Sequence, residues 1–196
     1  MKLLKVAADI IDPENTRPYA QGVTFADGAM SSTNNSVFLT GESGLTDDFD
    51  FTLPKEACVA LTKFKSPVVG VLADTHTAKF FFENGSSLCS KLLVAKFPDI
   101  GPLFAGDWDD FNLTEPLLDL SCDHLEFVNG NVYYHDKDSV GLFENVIDKV
   151  GTITVNKKHV DYLFRVGNNL SVSSDGYRMK SLGENCVIVC AAKISE

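Results

Sequence analysis

The chain says nearly the same thing twice, about 102 residues apart, and this repeat constrains its fold more than any other feature. Residues 51–64 read FTLPKEACVALTKF and residues 153–166 read ITVNKKHVDYLFRV. Thr52 falls on Thr154, Lys55 on Lys157, Leu61 on Leu163 and Lys63 on Arg165. Short apolar runs follow each copy, ending in Ala95-Lys96-Phe97 and Ala192-Lys193-Ile194. A period this long marks a duplicated domain and not a solenoid unit of roughly 20–50 residues. The 196 residues then divide into two small modules, expected at 1–105 and 106–196, with Pro98 to Gly106 as the linker.

Helical spacing predicts helices over 2–11, 54–65 and 156–166. Strands are expected at 22–26, 36–40, 51–53, 68–72, 79–82 and 87–94 in the first half. In the second half they are expected at 125–128, 132–135, 140–145, 152–155, 170–173, 177–181 and 186–193. Asp27-Gly28, Asn84-Gly85 and Asn129-Gly130 are hairpin turn signals. A further short helix, capped by Thr114 with Pro116 in its first turn, opens the second module. Each half reads helix, strands, helix, strands: an α+β class with mostly antiparallel sheets.

The net charge of −10 argues against nucleic acid when taken whole. Its distribution argues otherwise. The three predicted helices hold eight basic and three acidic residues, net +5, and the remainder holds nine basic and 24 acidic, net −15. Basic helices on an acidic body suit a protein that holds a polyanion on one face; lysine-rich but merely solvated helix surfaces are the plainer alternative. No apolar run approaches the ~20 residues of a membrane span. The start, Met1-Lys2-Leu3-Leu4-Lys5, is too interrupted by polar residues for a signal peptide. Five cysteines without CxxC spacing fit reduced cytoplasmic thiols, Cys186 and Cys190 among them as buried groups.

No catalytic residue, metal site or cofactor is expected. His76, His124, His135 and His159 are scattered, and His135-Asp136-Lys137-Asp138 reads as a solvated turn before a metal loop. Asp107, Asp109 and Asp110 read as a flexible acidic linker before a cation site. Walker, dinucleotide and GxSxG motifs are missing from the sequence.

Four stretches, in order and spacing, resemble the bacterial DNA polymerase III β subunit, the sliding clamp. LPKEACVAL followed by strands and then Ser90 to Asp99 (SKLLVAKFPD) looks like its middle domain, where a strand reading roughly SRLIDGxFPDY ends the domain. Glu14 to Val23 resembles the family's (T)RPxLxGV, and Thr154 to Leu163 its FNxxYLLDAL helix. Val187 to Ile194 sits where the family ends YVVMPMRL. The resemblance covers nearly the whole chain, with LLVAKFPD its most specific part. It implies the DNA clamp fold, with residues 1–105 like the middle domain and 106–196 like the C-terminal domain.

The same resemblance implies a non-enzymatic processivity factor working in the cytoplasm. Its helices would line a ring around duplex DNA and meet phosphates without reading bases. Lys2, Lys5, Lys55, Lys63, Lys157, Lys158 and Arg165 are the candidates for that contact. An apolar cleft would capture short peptides of DNA polymerase and clamp loader. Transferred by position, its lining is Arg17, Ala20, Thr33, Asn35, Phe38, Pro98, Pro102, Leu103, Ile188, Cys190 and Ala192. Phe38, Leu103 and Ile188 read equally well as ordinary core.

Departures from the family matter. The bacterial clamp has three modules per chain and dimerises to six; two modules here would need a homotrimer. The first helix of the second module carries Glu115 and Asp119 and no lysine. Thr33 to Phe38 lacks the family's arginine, and Cys190, Ala191 and Ala192 replace its methionines and proline. A compact, divergent version of this kind is expected of a bacteriophage or other mobile element, serving in the host cytoplasm. The acidic helix leaves a second expectation open: a non-encircling, clamp-like adaptor or decoy that binds replication proteins.

Overall fold

The repeated segment folds the same way twice in the computed structural model, which describes residues 2–46, 48–111, 121–128, 131–136, 139–143, 153–191 and 193–194. In each copy a strand runs without a loop into a helix: β4 (Asp50–Pro54) into α2 (Lys55–Lys63), and β12 (Ile153–Asn156) into α4 (Lys157–Val166). The matched residues Leu61 and Leu163 are both buried. The chain divides into two compact units, Met1–Asp99 and Ile100–Glu196. The division falls six residues before the expected 105/106 boundary.

In the first unit, α1 (Lys2–Ile10) buries Leu4, Ala7, Ala8 and Ile10 and exposes Lys2, Lys5 and Asp9, the pattern its helical spacing predicts. It is followed by β1 (Gly22–Ala26), β2 (Ala29–Thr33) and β3 (Val37–Glu42). These strands and β4 form an antiparallel sheet in the order β4-β1-β2-β3. Asp27 and Gly28 join β1 to β2 with positive φ angles of 51° and 72°, as a type I′ hairpin turn requires. After α2 come β5 (Val68–Ala73), β6 (Thr77–Phe82) and β7 (Ser87–Lys91), a second antiparallel sheet in chain order. The last predicted strand, 87–94, stops at Lys91 apart from a single bridge between Thr52 and Leu93. The two sheets share a core in which Phe51 meets Phe25 at 5.1 Å and Phe80 at 6.4 Å between ring centroids. Helices α1 and α2 pack against each other over it.

The second unit contains α3 (Gly101–Phe104), β8 (Trp108–Phe111), β9 (His124–Val128), β10 (Asn131–Asp136) and β11 (Ser139–Phe143). Beyond α4 follow β13 (Asn169–Ser173), β14 (Arg178–Leu182), β15 (Cys186–Ala191) and β16 (Lys193–Ile194). Strands β15-β14-β13-β8 form one antiparallel arrangement and β11-β10-β9-β12-β16 another. Leu125, Phe127, Val132, Ile153, Val160, Leu163, Met179 and Ile188 make the core. Asn156 caps α4, its Oδ1 accepting from the Lys158 N–H at 2.9 Å.

The division between the units falls inside Pro98–Gly106, the expected linker, which also contains α3 and whose Pro102, Leu103 and Ala105 carbonyls accept from the Arg178 guanidinium. One expectation is corrected. Asp107, Asp109 and Asp110 do not form a flexible acidic linker, because β8 pairs with β13 and Asp110 accepts from the Ser171 hydroxyl at 2.7 Å. The helix predicted around Thr114, Glu115, Pro116 and Asp119, and the Asn129-Gly130 turn, lie outside the described residues.

Gly167 closes α4, its N–H donating to the Leu163 carbonyl at 3.1 Å. A Cβ there would sit 2.1 Å from the Leu182 carbonyl oxygen, which is backbone and cannot swing away. Gly167→Ala is therefore expected to lower stability by about 2 kcal/mol or more, read as a drop in the urea midpoint without a change in slope.

Candidate nucleic-acid interface

Helix rotation decides which of the predicted phosphate ligands face solvent. On α1, Lys2, Lys5 and Asp9 lie three and seven residues apart and share one exposed stripe. On α2, Lys63 is exposed together with Glu56 one heptad before it. On α4, Lys158 and Arg165 flank Tyr162, each cation 5.8 Å from the ring centroid. Lys158 is exposed and Arg165 half-buried.

Lys55 and Lys157 behave differently. Both occupy the first position of a helix that begins against its own sheet, so their stems start at the packed side. Lys55 is half-buried and its Nζ donates to the Ile11 carbonyl at 2.7 Å, closing the end of α1. Lys157 is only 5% exposed, and its ammonium pairs with Asp161 one turn on. A buried ammonium beside a carboxylate is neutralised locally and has little field left for a phosphate. The outward cations are thus Lys2, Lys5, Lys63, Lys158 and Arg165.

The residues transferred to a peptide cleft divide by burial. In the first unit Arg17 is exposed, Asn35, Phe38 and Pro98 are half-buried, and Ala20 and Thr33 are core. In the second unit Pro102 is exposed and Leu103 half-buried, while Ile188 and Cys190 are core with no surface to offer. Burial pushes the Cys190 thiol up to about 12, and the Cys58 thiol likewise, so both stay protonated and unreactive at neutral pH. Ala192 lies outside the described residues.

Sequence reasoning overlooked Tyr19, whose hydroxyl and ring link Arg17, Asn35 and Phe97. Its position beside Pro18 in an otherwise polar stretch was the available signal. It also overlooked an apolar pocket of about 260 Å³ in the first unit, lined by residues including Leu4, Phe25, Met30, Leu61 and Phe80. None of the predicted site residues lines that pocket.

Over 99% of its length the chain matches crystal structures of bacterial clamps. For the DNA polymerase sliding clamp of Caulobacter crescentus the TM-score is 0.78 at 16% identity. For that of Pseudomonas aeruginosa, with ligand, it is 0.77 at 16%. For the Helicobacter pylori beta clamp bound to a DNA ligase peptide it is 0.77 at 14%. The fold is that of a DNA sliding clamp. This chain spans 63% of the length of each of those clamp chains. No protein-family model and no curated protein matches the sequence. Among the described residues of this clamp fold, no group of three or more His, Cys, Asp or Glu is placed to hold a metal ion, and no helix is long and apolar enough to cross a membrane.

His159 lies on the same helix as Lys158 and Arg165. Its Nδ1 is buried without a hydrogen-bond partner among the described residues. Burial first, then the charges of Lys158 and His124, holds its pKa below the usual 6.5. The unfolded chain therefore takes up this proton at a higher pH than the folded one. Its contribution is complete above 6.5 and is lost as pH falls through the depressed folded value. Urea unfolding at about pH 7.5 and about pH 5 should show the loss on acidification, and His159→Gln should make that loss smaller.

Proposed function

We propose that the chain is a DNA sliding clamp, a processivity factor that encircles duplex DNA in the cytoplasm and tethers replication proteins through short linear peptides. The observation that carries this reading is the clamp fold over 99% of the chain. Lys2, Lys5, Lys63, Lys158 and Arg165 would meet phosphates weakly and without base contacts, which lets a ring slide. The Helicobacter pylori clamp holds a DNA ligase peptide, and we extend that kind of partner, together with polymerase and clamp loader, to this chain. The sequence divergence fits a phage or mobile-element origin.

Six modules would come from three copies. Each unit offers an end strand for joining them. Strand β5 ends its sheet among the described residues, with Val69 and Leu72 65% and 66% exposed. Among the described residues, strand β11 likewise ends its own sheet, and it exposes Leu142. Unpaired apolar edges invite a partner strand, and β5 of one copy joined to β11 of the next makes a head-to-tail contact that can close into a ring. Light scattering behind a sizing column should find three times 21.4 kDa, about 64 kDa. A persistent monomer or dimer at high concentration would contradict the ring.

A second reading, a non-encircling adaptor or decoy, is favoured by one observation: Lys55 and Lys157 are spent on internal contacts, which thins the basic surface. Retention on circular DNA separates the two. Reversing Lys63 and Lys158 to glutamate should cut retention about tenfold at low salt and leave the solution mass unchanged. Equal retention by the reversed and original proteins would favour the adaptor.

A further inference from the structure

The apolar cavity of the first unit takes no part in the nucleic-acid or peptide surfaces described above. At about 260 Å³ it reaches into the core itself. Leu4 of α1, Leu61 of α2, Phe25 of β1, Met30 of β2 and Phe80 of β6 line it. Each of these residues is no more than 6% exposed. Two helices and two sheets therefore meet around space that their own side chains leave unfilled. Protein interiors hold few voids larger than a water molecule, and the walls of such a void forfeit dispersion contacts. An occupant recovers them.

The lining defines what that occupant is. Among the described residues, no side chain lining the cavity carries a charge. Its one hydroxyl belongs to Ser43, which donates to the Gly28 carbonyl at 2.8 Å and accepts from the Leu45 N–H at 3.0 Å. The Ser43 N–H also donates to the Gly28 carbonyl, at 2.9 Å, and the Pro67 carbonyl accepts from the Glu83 N–H at 3.0 Å. A carboxylate, an ammonium or a peptide amide entering here would lose water and gain no matching partner, at a large cost. Two phenyl rings and a thioether favour a ring instead. Aromatic edges meet aromatic faces, and sulfur sits well at a ring edge. An apolar cavity of about 150 Å³ stays dry and takes benzene; this one has room for two fused rings. Gly44, with a φ of +72°, turns the segment after β3, and half-buried Leu45 joins the lining, so one wall is a loop that can admit a ligand.

We infer that this cavity is a binding site for a small, neutral aromatic molecule of two-ring size. The site stands on the packing of the first unit alone and is independent of the DNA and peptide readings. A molecule held there touches α1, α2 and both sheets at once, and so stabilises the unit by mass action.

The chain supplies its own reporter. Of its three methionines, Met30 lines the cavity and Met179 lies in the core of the second unit. With ¹³C in the methionine methyl groups, NMR follows the full chain as naphthalene, 2-naphthoate or N-acetylphenylalanine amide is added. Met30→Leu, which conserves volume, assigns the Met30 signal. Naphthalene should bind with a Kd on the order of 0.1 mM, shifting the Met30 methyl and leaving Met179 in place. The charged probe and the amide should bind at least about tenfold more weakly. Leu45→Trp sets a larger ring into the cavity from its loop wall and should weaken naphthalene about tenfold. Naphthoate binding as tightly as naphthalene would overturn the neutral assignment. Equal binding of the amide would replace the small molecule with an aromatic side chain of a partner protein. Equal shifts at Met30 and Met179, unchanged affinity in a folded Leu45→Trp variant, or no binding of naphthalene would each overturn the site. Should Leu45→Trp fail to fold, the Met30 shift in the original chain decides.

Discussion

The direct passage from strand into helix, made once in each unit, is the constraint on which the rest depends. With no loop between β4 and α2, or between β12 and α4, each helix starts directly at a paired strand end; α2 then packs on β1 and β4, and α4 on β14 and β15 as well as β12. That forces the inward stripe of Ala57, Cys58 and Leu61 in one unit and of Val160, Tyr162 and Leu163 in the other. The outward stripe is what remains, and its charges follow from helical geometry. A helix placed this way has one packed side and one displayed side, and function can draw only on the displayed one.

The same constraint explains the double life of the repeated lysines. Lys55 and Lys157 stand where strand becomes helix, too close to the sheet to reach freely outward. One closes the end of α1 through the Ile11 carbonyl, and the other is matched by Asp161. Their correspondence in the repeat is one of position at the strand-to-helix junction, with a different internal partner in each copy. The cations that differ in detail between the copies, Lys63 against Arg165 and the added Lys158, are the ones left on display.

Elements with clear alternation or helical spacing were legible: α1, β1, α2, β13 and α4 lie within about two residues of where the pattern put them. Strand β2 was not, because Ala-Met-Ser-Ser-Thr offers one large apolar side chain, and its place in the sheet comes from the turn at Asp27-Gly28 and from pairing with β3. Strand β8 was hidden by its aspartates, whose cost is met by Ser171 and by a place at the end of the sheet among the described residues. At the candidate site, spacing could list the lysines but not rotate the helices, so Lys55 and Lys157 looked equivalent to Lys63 and Lys158. The cleft residues Ala20, Ile188 and Cys190 were drawn by position, and burial alone removes them from any surface. The Arg17–Tyr19–Asn35 cluster depends on a left-handed backbone angle and on contacts 16 and 18 residues apart in sequence, which no local pattern encodes.

The chain has a single tryptophan. Trp108 lies in the second unit, its indole N–H held by the Phe104 carbonyl at 3.1 Å, with the Lys180 ammonium 4.2 Å and the Arg178 guanidinium 5.3 Å from its ring. Two cations against one indole give it an electrostatic setting that exists only while β8 and β14 hold their places. The molecule thus carries a native optical reporter confined to one of its halves. Tryptophan emission follows the melting of the second unit, whereas circular dichroism follows both, and any gap between the two signals measures how independently the halves come apart.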